Sequence, residues 1–187
     1  MRTKLMILGL ALCLAATAQA TEDLERQAAE AVAAHQLVEA RALYRQLAAS
    51  DPENVEYQVW IGRLSSWLND YPSAEATFDS VLARDGANVE ALVGKAYVAM
   101  WQEQYPQAHA LLRRAAEAAP ASPDVELALA RNYHFQGKDR EAAEHVDRVL
   151  ADDPGSPEAQ ELKRRLAPAP APRGFFARLK RFFTGHS

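Results

Sequence analysis

The chain has 187 residues, of which 49% are hydrophobic and 25% charged, with a formal net charge of −4. This length suits one domain, and the scarcity of glycine and β-branched residues favours an all-α protein. The charge is unevenly distributed: residues 21–172 hold 15 basic and all 25 acidic side chains, a formal charge of −10, whereas residues 173–187 hold four basic side chains and no acidic one. The acidic body argues against nucleic-acid binding.

Residues 1–20 predict a secretory signal peptide. Arg2 and Lys4 precede an apolar run over 5–14, and Ala18-Gln19-Ala20 is a small-x-small cleavage signal. The apolar run is short for a membrane span, so an uncleaved anchor is the alternative rather than the main interpretation. We therefore expect an exported mature protein, most simply in a bacterial periplasm.

The single cysteine, Cys13, lies within the predicted signal peptide. Leu12 before it does not fit a lipoprotein signal, which requires a small residue there. If cleavage follows Ala20, the mature chain has no cysteine, and it has no disulfide, thiol chemistry or cysteine metal site.

The chain beyond residue 20 repeats itself with a fixed period. Val55 maps to Val89, Trp67 to Trp101, and the pair Tyr71-Pro72 to Tyr105-Pro106, always 34 positions later. This register predicts four repeats without insertion or deletion, at 21–54, 55–88, 89–122 and 123–156. A fixed period of this length indicates a repeat architecture in which stacked units share one core.

Small and large residues recur at fixed positions of this period. The predicted close contacts between helices use Gly62, Ala96 and Ala130 from the first helix of each repeat and Ala40, Ala74, Ala108 and Ala142 from the second. Tyr44, Phe78, Leu112 and Val146 are expected to fill the space between repeats, and Pro52, Pro120 and Pro154 mark the exits. These markers resemble the tetratricopeptide repeat (TPR) family, which implies an all-α, right-handed superhelical solenoid of helical hairpins.

The chain after residue 156 follows a different pattern. Residues 157–166 predict a capping helix, 167–172 (APAPAP) a stiff linker, and 173–187 a separate amphipathic helix. In this tail, one face carries Phe175, Phe176, Leu179, Phe182 and Phe183, and the remaining surface carries Arg178, Lys180 and Arg181. It could contact an anionic membrane, dock into a partner, or fold back onto an apolar patch of the solenoid.

The sequence contains no catalytic constellation. The five histidines, at positions 35, 109, 134, 145 and 186, are far apart in the sequence, and none forms a H-E-x-x-H pair. We therefore predict a protein that is not an enzyme, with no catalytic residue, metal site or cofactor.

The resemblance implies that the first helices line a concave face that binds a partner. Carried over residue by residue, that face comprises Arg63, Trp67, Tyr97, Met100, Trp101, Arg131, His134 and Phe135. Trp67, Trp101 and Phe135 form an aromatic row that the family pattern does not require. With Arg63 and Arg131, the row suits an extended peptide carrying carboxylates. The alternative is that these rings pack against the hairpin loop of the next repeat.

The predicted function is that of a non-enzymatic, exported TPR scaffold or adaptor that binds a protein or peptide segment in the bacterial cell envelope. The signal peptide and the tryptophans near the ends of first helices look like the periplasmic TPR regions of exopolysaccharide-secretion and outer-membrane biogenesis proteins. The alternative is a carbohydrate-binding TPR module in which exopolysaccharide rings stack on the aromatic row.

Overall fold

The computed structural model describes residues 19–167, and this range forms nine α-helices and no β-strand. Helix α1 spans 19–33. The other helices are α2 (Leu37–Ser50), α3 (Val55–Trp67), α4 (Tyr71–Arg84), α5 (Val89–Trp101), α6 (Tyr105–Ala118), α7 (Pro123–Phe135), α8 (Asp139–Asp152) and α9 (Pro157–Leu166). The predicted signal-peptide core and the tail helix lie outside the described residues.

The helices pair into hairpins that stack along the chain. Each helix from α2 onward packs against its neighbours in sequence, and α5 also contacts both α3 and α7. We call the odd-numbered helices first helices and the even-numbered ones second helices; α9 extends the row of first helices as a single helix. This arrangement confirms the predicted all-α solenoid.

Helix starts follow from cap residues that share the period of the repeat. The first helices α3, α5, α7 and α9 are preceded by Asn54, Asn88, Ser122 and Ser156. Asn88 Oδ1 accepts a hydrogen bond from the backbone N–H of Ala91 at 2.9 Å, which satisfies one of the unpaired donors of the first turn. These four first helices therefore begin after a residue type that favours a helix start.

The turn inside each hairpin uses one residue in the left-handed region. These residues are His35, Asn69, Glu103 and Gly137, with φ values of 56°, 60°, 61° and 72°. In the third hairpin, the N–H of Gln104 donates to the carbonyl of Ala99 at 2.8 Å, closing the end of α5. The same backbone geometry recurs in all four hairpins although only one of them has glycine there, so hairpin shape does not depend on that side chain.

The core alternates small and large residues as predicted. The four alanines of the second helices are 0% exposed, and Tyr44, Phe78, Leu112 and Val146 are all buried. The Phe78 ring lies between two glycines: a Cβ built on Gly62 would be 2.6 Å from its Cε1, and one built on Gly94 would be 2.4 Å from its Cζ. The next repeat has Ala96, Ala128 and the smaller Leu112 at the same positions, all in one cluster. The large Phe78 ring therefore occurs where both facing positions are glycine, and the smaller Leu112 occurs where both are alanine.

This match predicts that Gly94→Ala is destabilising, by about 1–3 kcal/mol, because the added methyl overpacks a closed core. The measurement is the free energy of unfolding from urea denaturation. The double variant Phe78→Leu/Gly94→Ala should lose less than the sum of the two single losses, since leucine leaves room for the methyl. If the two single losses of unfolding free energy simply add in the double variant, the Phe78 ring and Gly94 do not constrain each other.

One core position is occupied by a polar side chain. Asn132 in α7 is 0% exposed, and neither its Nδ2 nor its Oδ1 has a hydrogen-bond partner within the described range. The equivalent positions in the two preceding repeats hold Leu64 and Val98, which are also fully buried. A buried amide without partners costs free energy, so the fourth repeat is less stable than its packing alone would make it.

Replacing this amide by the residue of the preceding repeat, Asn132→Val, should raise the free energy of unfolding by about 1–3 kcal/mol. Denaturant titration of residues 21–187 provides the measurement. The reciprocal variant Val98→Asn is the control and should lower stability by a comparable amount. If Asn132→Val is destabilising instead, the amide has a partner that the static packing does not reveal.

Candidate functional site

The first helices line one open groove of about 620 Å³. We call it the first-helix groove; it is lined by Arg63, Ser66, Trp67, Phe78, Val89, Glu90, Val93, Gly94, Tyr97, Trp101, Asp124, Leu127, Arg131, Phe135 and Glu158. The volume falls within the roughly 300–1,000 Å³ of ordinary ligand pockets. Because α3, α5, α7 and α9 all contribute, the groove exists only when the repeats are stacked.

Six of the eight predicted surface residues line this groove, and two do not. Met100 is 2% exposed and packs in the core with Leu92 and Leu112, so its expected place on the binding face is wrong. Its position one residue before Trp101 turns it by about 100° around the helix, towards the second helix. His134 lies outside the groove lining, with its Nδ1 2.7 Å from Oδ1 of Asp139 at the start of α8.

The aromatic row is partly packed and partly open. Trp67, Trp101 and Phe135 are the last residues of α3, α5 and α7, and they are 42%, 39% and 47% exposed. Trp101 stacks on Tyr97 and on Tyr71, with ring centroids 5.9 Å and 6.2 Å away. Tyr71 belongs to the preceding repeat, so the ring contacts of Trp101 are with its own helix and the preceding hairpin, whereas the alternative placed it against the next hairpin loop. Trp101 is therefore braced by the scaffold, and all three rings still offer surface to a ligand.

The two groove arginines are already paired with carboxylates. Arg63 Nη2 lies 3.6 Å from Glu90 Oε1, and its guanidinium sits over Trp60 at 5.3 Å. Arg131 pairs with Glu158 through Nη2 and donates from Nη1 to the Tyr97 hydroxyl at 2.5 Å. Neither arginine is therefore the free cation that the sequence suggested for binding ligand carboxylates.

Sequence reasoning missed the acidic residues of the groove. Glu90, Asp124 and Glu158 each lie in the first turn of a first helix, where a carboxylate favours the helix dipole. Each of these carboxylates is therefore explained by its interaction with the helix dipole, and nothing in the sequence was a reason to place it in a binding site. The missed signal was a shared spacing, because the interval that separates Arg63 from Glu90 also separates Arg131 from Glu158.

Of the three groove carboxylates, the middle one, Asp124, has no arginine at the corresponding position of the preceding first helix. At the same interval before Asp124 stands Tyr97, whose pKa is raised because burial disfavours the phenolate more than the neighbouring Arg131 favours it. The neutral phenol cannot compensate a carboxylate. Asp124 is exposed, and its carboxylate makes no ion pair or hydrogen bond with another described residue. The groove thus has two cations against three carboxylates.

The chemistry of the described residues is that of a binding surface. Between residues 19 and 167, no group of three or more His, Cys, Asp or Glu side chains is placed to hold a metal ion. No helix in that range is long and apolar enough to cross a membrane. The groove presents aromatic faces, two neutralised arginines and one uncompensated carboxylate.

Helical hairpins with a fixed period and a groove along their first helices define a helical-repeat scaffold. The tetratricopeptide repeat family model matches residues 31–96 and 99–166. The chain belongs to this family, whose fold is a non-catalytic scaffold that binds proteins or peptides.

Solved structures share this fold at low sequence identity. A thermophilic TPR protein from Thermus thermophilus has a TM-score of 0.71 and 18% identity, with 78% of this chain and 80% of that chain covered. MamA (41-end) from Desulfovibrio magneticus RS-1 has a TM-score of 0.57 and 18% identity, covering 89% and 97%. YrrB, described as a TPR protein with an unusual peptide-binding site, has a TM-score of 0.57 and 15% identity, covering 73% and 71%. Among curated protein sequences, none matches this chain.

Proposed function

We propose that this protein is an exported, non-enzymatic adaptor of the bacterial cell envelope whose first-helix groove binds a segment of a partner protein. The observation that carries the proposal is the aromatic row, because three consecutive repeats each leave a large ring between 39% and 47% exposed in one groove. Exposed tryptophans in a preformed pocket are typical anchors of protein interfaces. The peptide-binding site of YrrB, a protein of the same fold, supports the same use of the scaffold.

The packing of the groove favours binding without rearrangement. Trp101 is held between Tyr97 and Tyr71, and Arg131 is fixed by Tyr97 and Glu158. Side chains that are ordered before binding lose little conformational entropy when a ligand arrives. A partner segment therefore meets rigid aromatic faces.

The charge of the groove indicates the composition of its ligand. An acidic segment would have to separate Arg63 from Glu90 or Arg131 from Glu158, and it would meet Asp124 as a like charge. A segment with apolar or aromatic side chains and a basic residue meets neither penalty. A neutral polysaccharide could stack on the same rings, but it would leave Asp124 unused.

The binding proposal predicts a specific loss on Trp101→Ala. Peptides selected from a random displayed library on residues 21–187 should bind this variant at least tenfold more weakly, because a central anchor is removed. Titration by isothermal calorimetry gives the affinities. Val38→Ala is the matched control, since Val38 is also an exposed hydrophobic residue, at 67%, but lies on α2 outside the groove.

Two results would contradict this function. The first is a set of selected peptides that bind wild type and Trp101→Ala equally while both variants keep the same circular dichroism spectrum. The second is a titration in which acidic or neutral oligosaccharides quench the groove tryptophans and selected peptides do not. The latter would favour the carbohydrate-binding alternative.

The exported location is a second part of the proposal, and it is supported by the N-terminal sequence. A basic start, an apolar run and the Ala18-Gln19-Ala20 motif are the pattern of a signal peptide. The first repeat starts at residue 21, so cleavage after Ala20 leaves every repeat intact.

N-terminal sequencing of the protein from a periplasmic fraction should therefore begin at Thr21. Ala18→Glu should block cleavage, because the site requires a small residue three positions before the cut, and the uncut chain should stay with the membrane fraction. Gln19→Glu is the control, since the position between the two alanines is tolerant, and it should be processed normally. Recovery of wild type in the cytosol with residues 1–20 intact would refute export.

A further inference from the structure

We propose that, in the free protein, the first-helix groove is occupied by the chain's own C-terminal segment, residues 173–183, which a partner must displace. The proposal rests on the proposed function, since it uses the same groove. It names a regulator of that groove and not its final partner.

Charge complementarity is the first support. The segment contains Arg173, Arg178, Lys180 and Arg181 and no acidic residue. In the groove, Asp124 is the carboxylate whose expected cation is replaced by the neutral Tyr97. A basic side chain of the segment would complete the series that Arg63–Glu90 and Arg131–Glu158 begin. No described residue supplies that cation.

Matching apolar surface is the second support. Trp67, Trp101 and Phe135 keep 42%, 39% and 47% of their surface exposed along the groove. The segment has Phe175, Phe176, Phe182 and Phe183 in two pairs on either side of its central basic residues. Aromatic rings that pack edge to face or in offset stacks lose exposed apolar area on both sides. The pattern of rings and charges in the segment thus parallels that of the groove.

The place where the described chain ends is the third support. Helix α9 continues the row of first helices, and its Glu158 already lines the groove and pairs with Arg131 of α7. In the register of the repeat, the position after Phe135 in the aromatic row is residue 169, inside the linker 167–172. Helix α9 therefore ends at Leu166, one helical turn before the position that the aromatic row would take in its repeat.

The linker is long enough for the segment to turn back. Six residues of extended, proline-rich chain span about 19 Å. A first helix of 13 residues, such as α7, is about 20 Å long. The segment can thus start beside α9 and run along the groove of the same molecule.

Self-occupancy would weaken partner binding by mass action. A short tether gives an effective concentration of about 1 mM. If the segment alone binds with a Kd of about 0.1 mM, the apparent affinity for a partner falls about tenfold. A partner would have to bind the groove better than the tail does, which raises specificity.

Photocrosslinking of residues 21–187 tests this proposal, with Ala177→Cys as the only cysteine and a benzophenone attached to it. At low micromolar concentration, we expect crosslinks within one chain, mapped by mass spectrometry to groove residues of α5 and α7. Asp124→Arg should reduce their yield severalfold. The control Glu56→Arg changes an acid at the same repeat position outside the groove and should leave the yield unchanged.

A charge swap tests directly whether Asp124 pairs with the basic residues of the segment. In the Asp124→Arg background, Arg178→Asp, Lys180→Asp and Arg181→Asp together should restore the groove crosslinks. Crosslinks that are absent from the groove, that occur only between chains, or that ignore Asp124→Arg would overturn the proposal. It would also be overturned if crosslinks stay absent while vesicles of one part phosphatidylglycerol to two parts phosphatidylcholine capture the chain, which would make the tail a membrane contact.

The selected peptides separate this proposal from the groove function. They should bind about tenfold more tightly when Phe175, Phe176, Phe182 and Phe183 are all changed to alanine. Equal affinity for this variant and wild type refutes only self-occupancy. Failure of any peptide to bind either protein refutes the groove function itself.

Discussion

The structure depends on contacts between repeats, because a single helical hairpin cannot bury its own apolar face. The Phe78 ring shows how this contact is made: it enters a space that is open only because Gly62 of its own repeat and Gly94 of the next have no Cβ. In the following repeat, the smaller Leu112 packs in one cluster with Ala96 and Ala128, which occupy the positions of the two glycines. Since each repeat is completed by its neighbour, α9 covers the fourth hairpin as a first helix that no second helix follows within residues 19–167.

The groove is a consequence of this regular stacking. Residues that occupy one position of the repeat are brought side by side, so single side chains become rows. The aromatic row and the row of acids in the first helical turns arise in this way. A different residue at that position in one repeat then changes the charge or shape of the groove at one place only. Tyr97 in place of an arginine leaves Asp124 uncompensated in the middle of the groove.

The sequence predicted the scaffold better than the site. The period, the recurring small and large residues and the prolines are local signals, and they predicted the helical hairpins and their core. The site depends on which face of each helix points outward and on pairs that lie far apart in the chain. Met100 was assigned to the surface because the family resemblance places its repeat position on the concave face, yet it is buried. The amide of Asn132 in the core also follows from no local rule.

The sequence by itself determined the all-α repeat, its period and the residues that fill the core, because the same short-range pattern recurs in every repeat. Only the tertiary structure decided how the groove charges are shared. Arg63 and Arg131 meet carboxylates of the following first helix because stacking places the start of one first helix beside the middle of the preceding one. That juxtaposition neutralises the arginines and leaves one unpaired carboxylate in the same groove as the exposed aromatic rings.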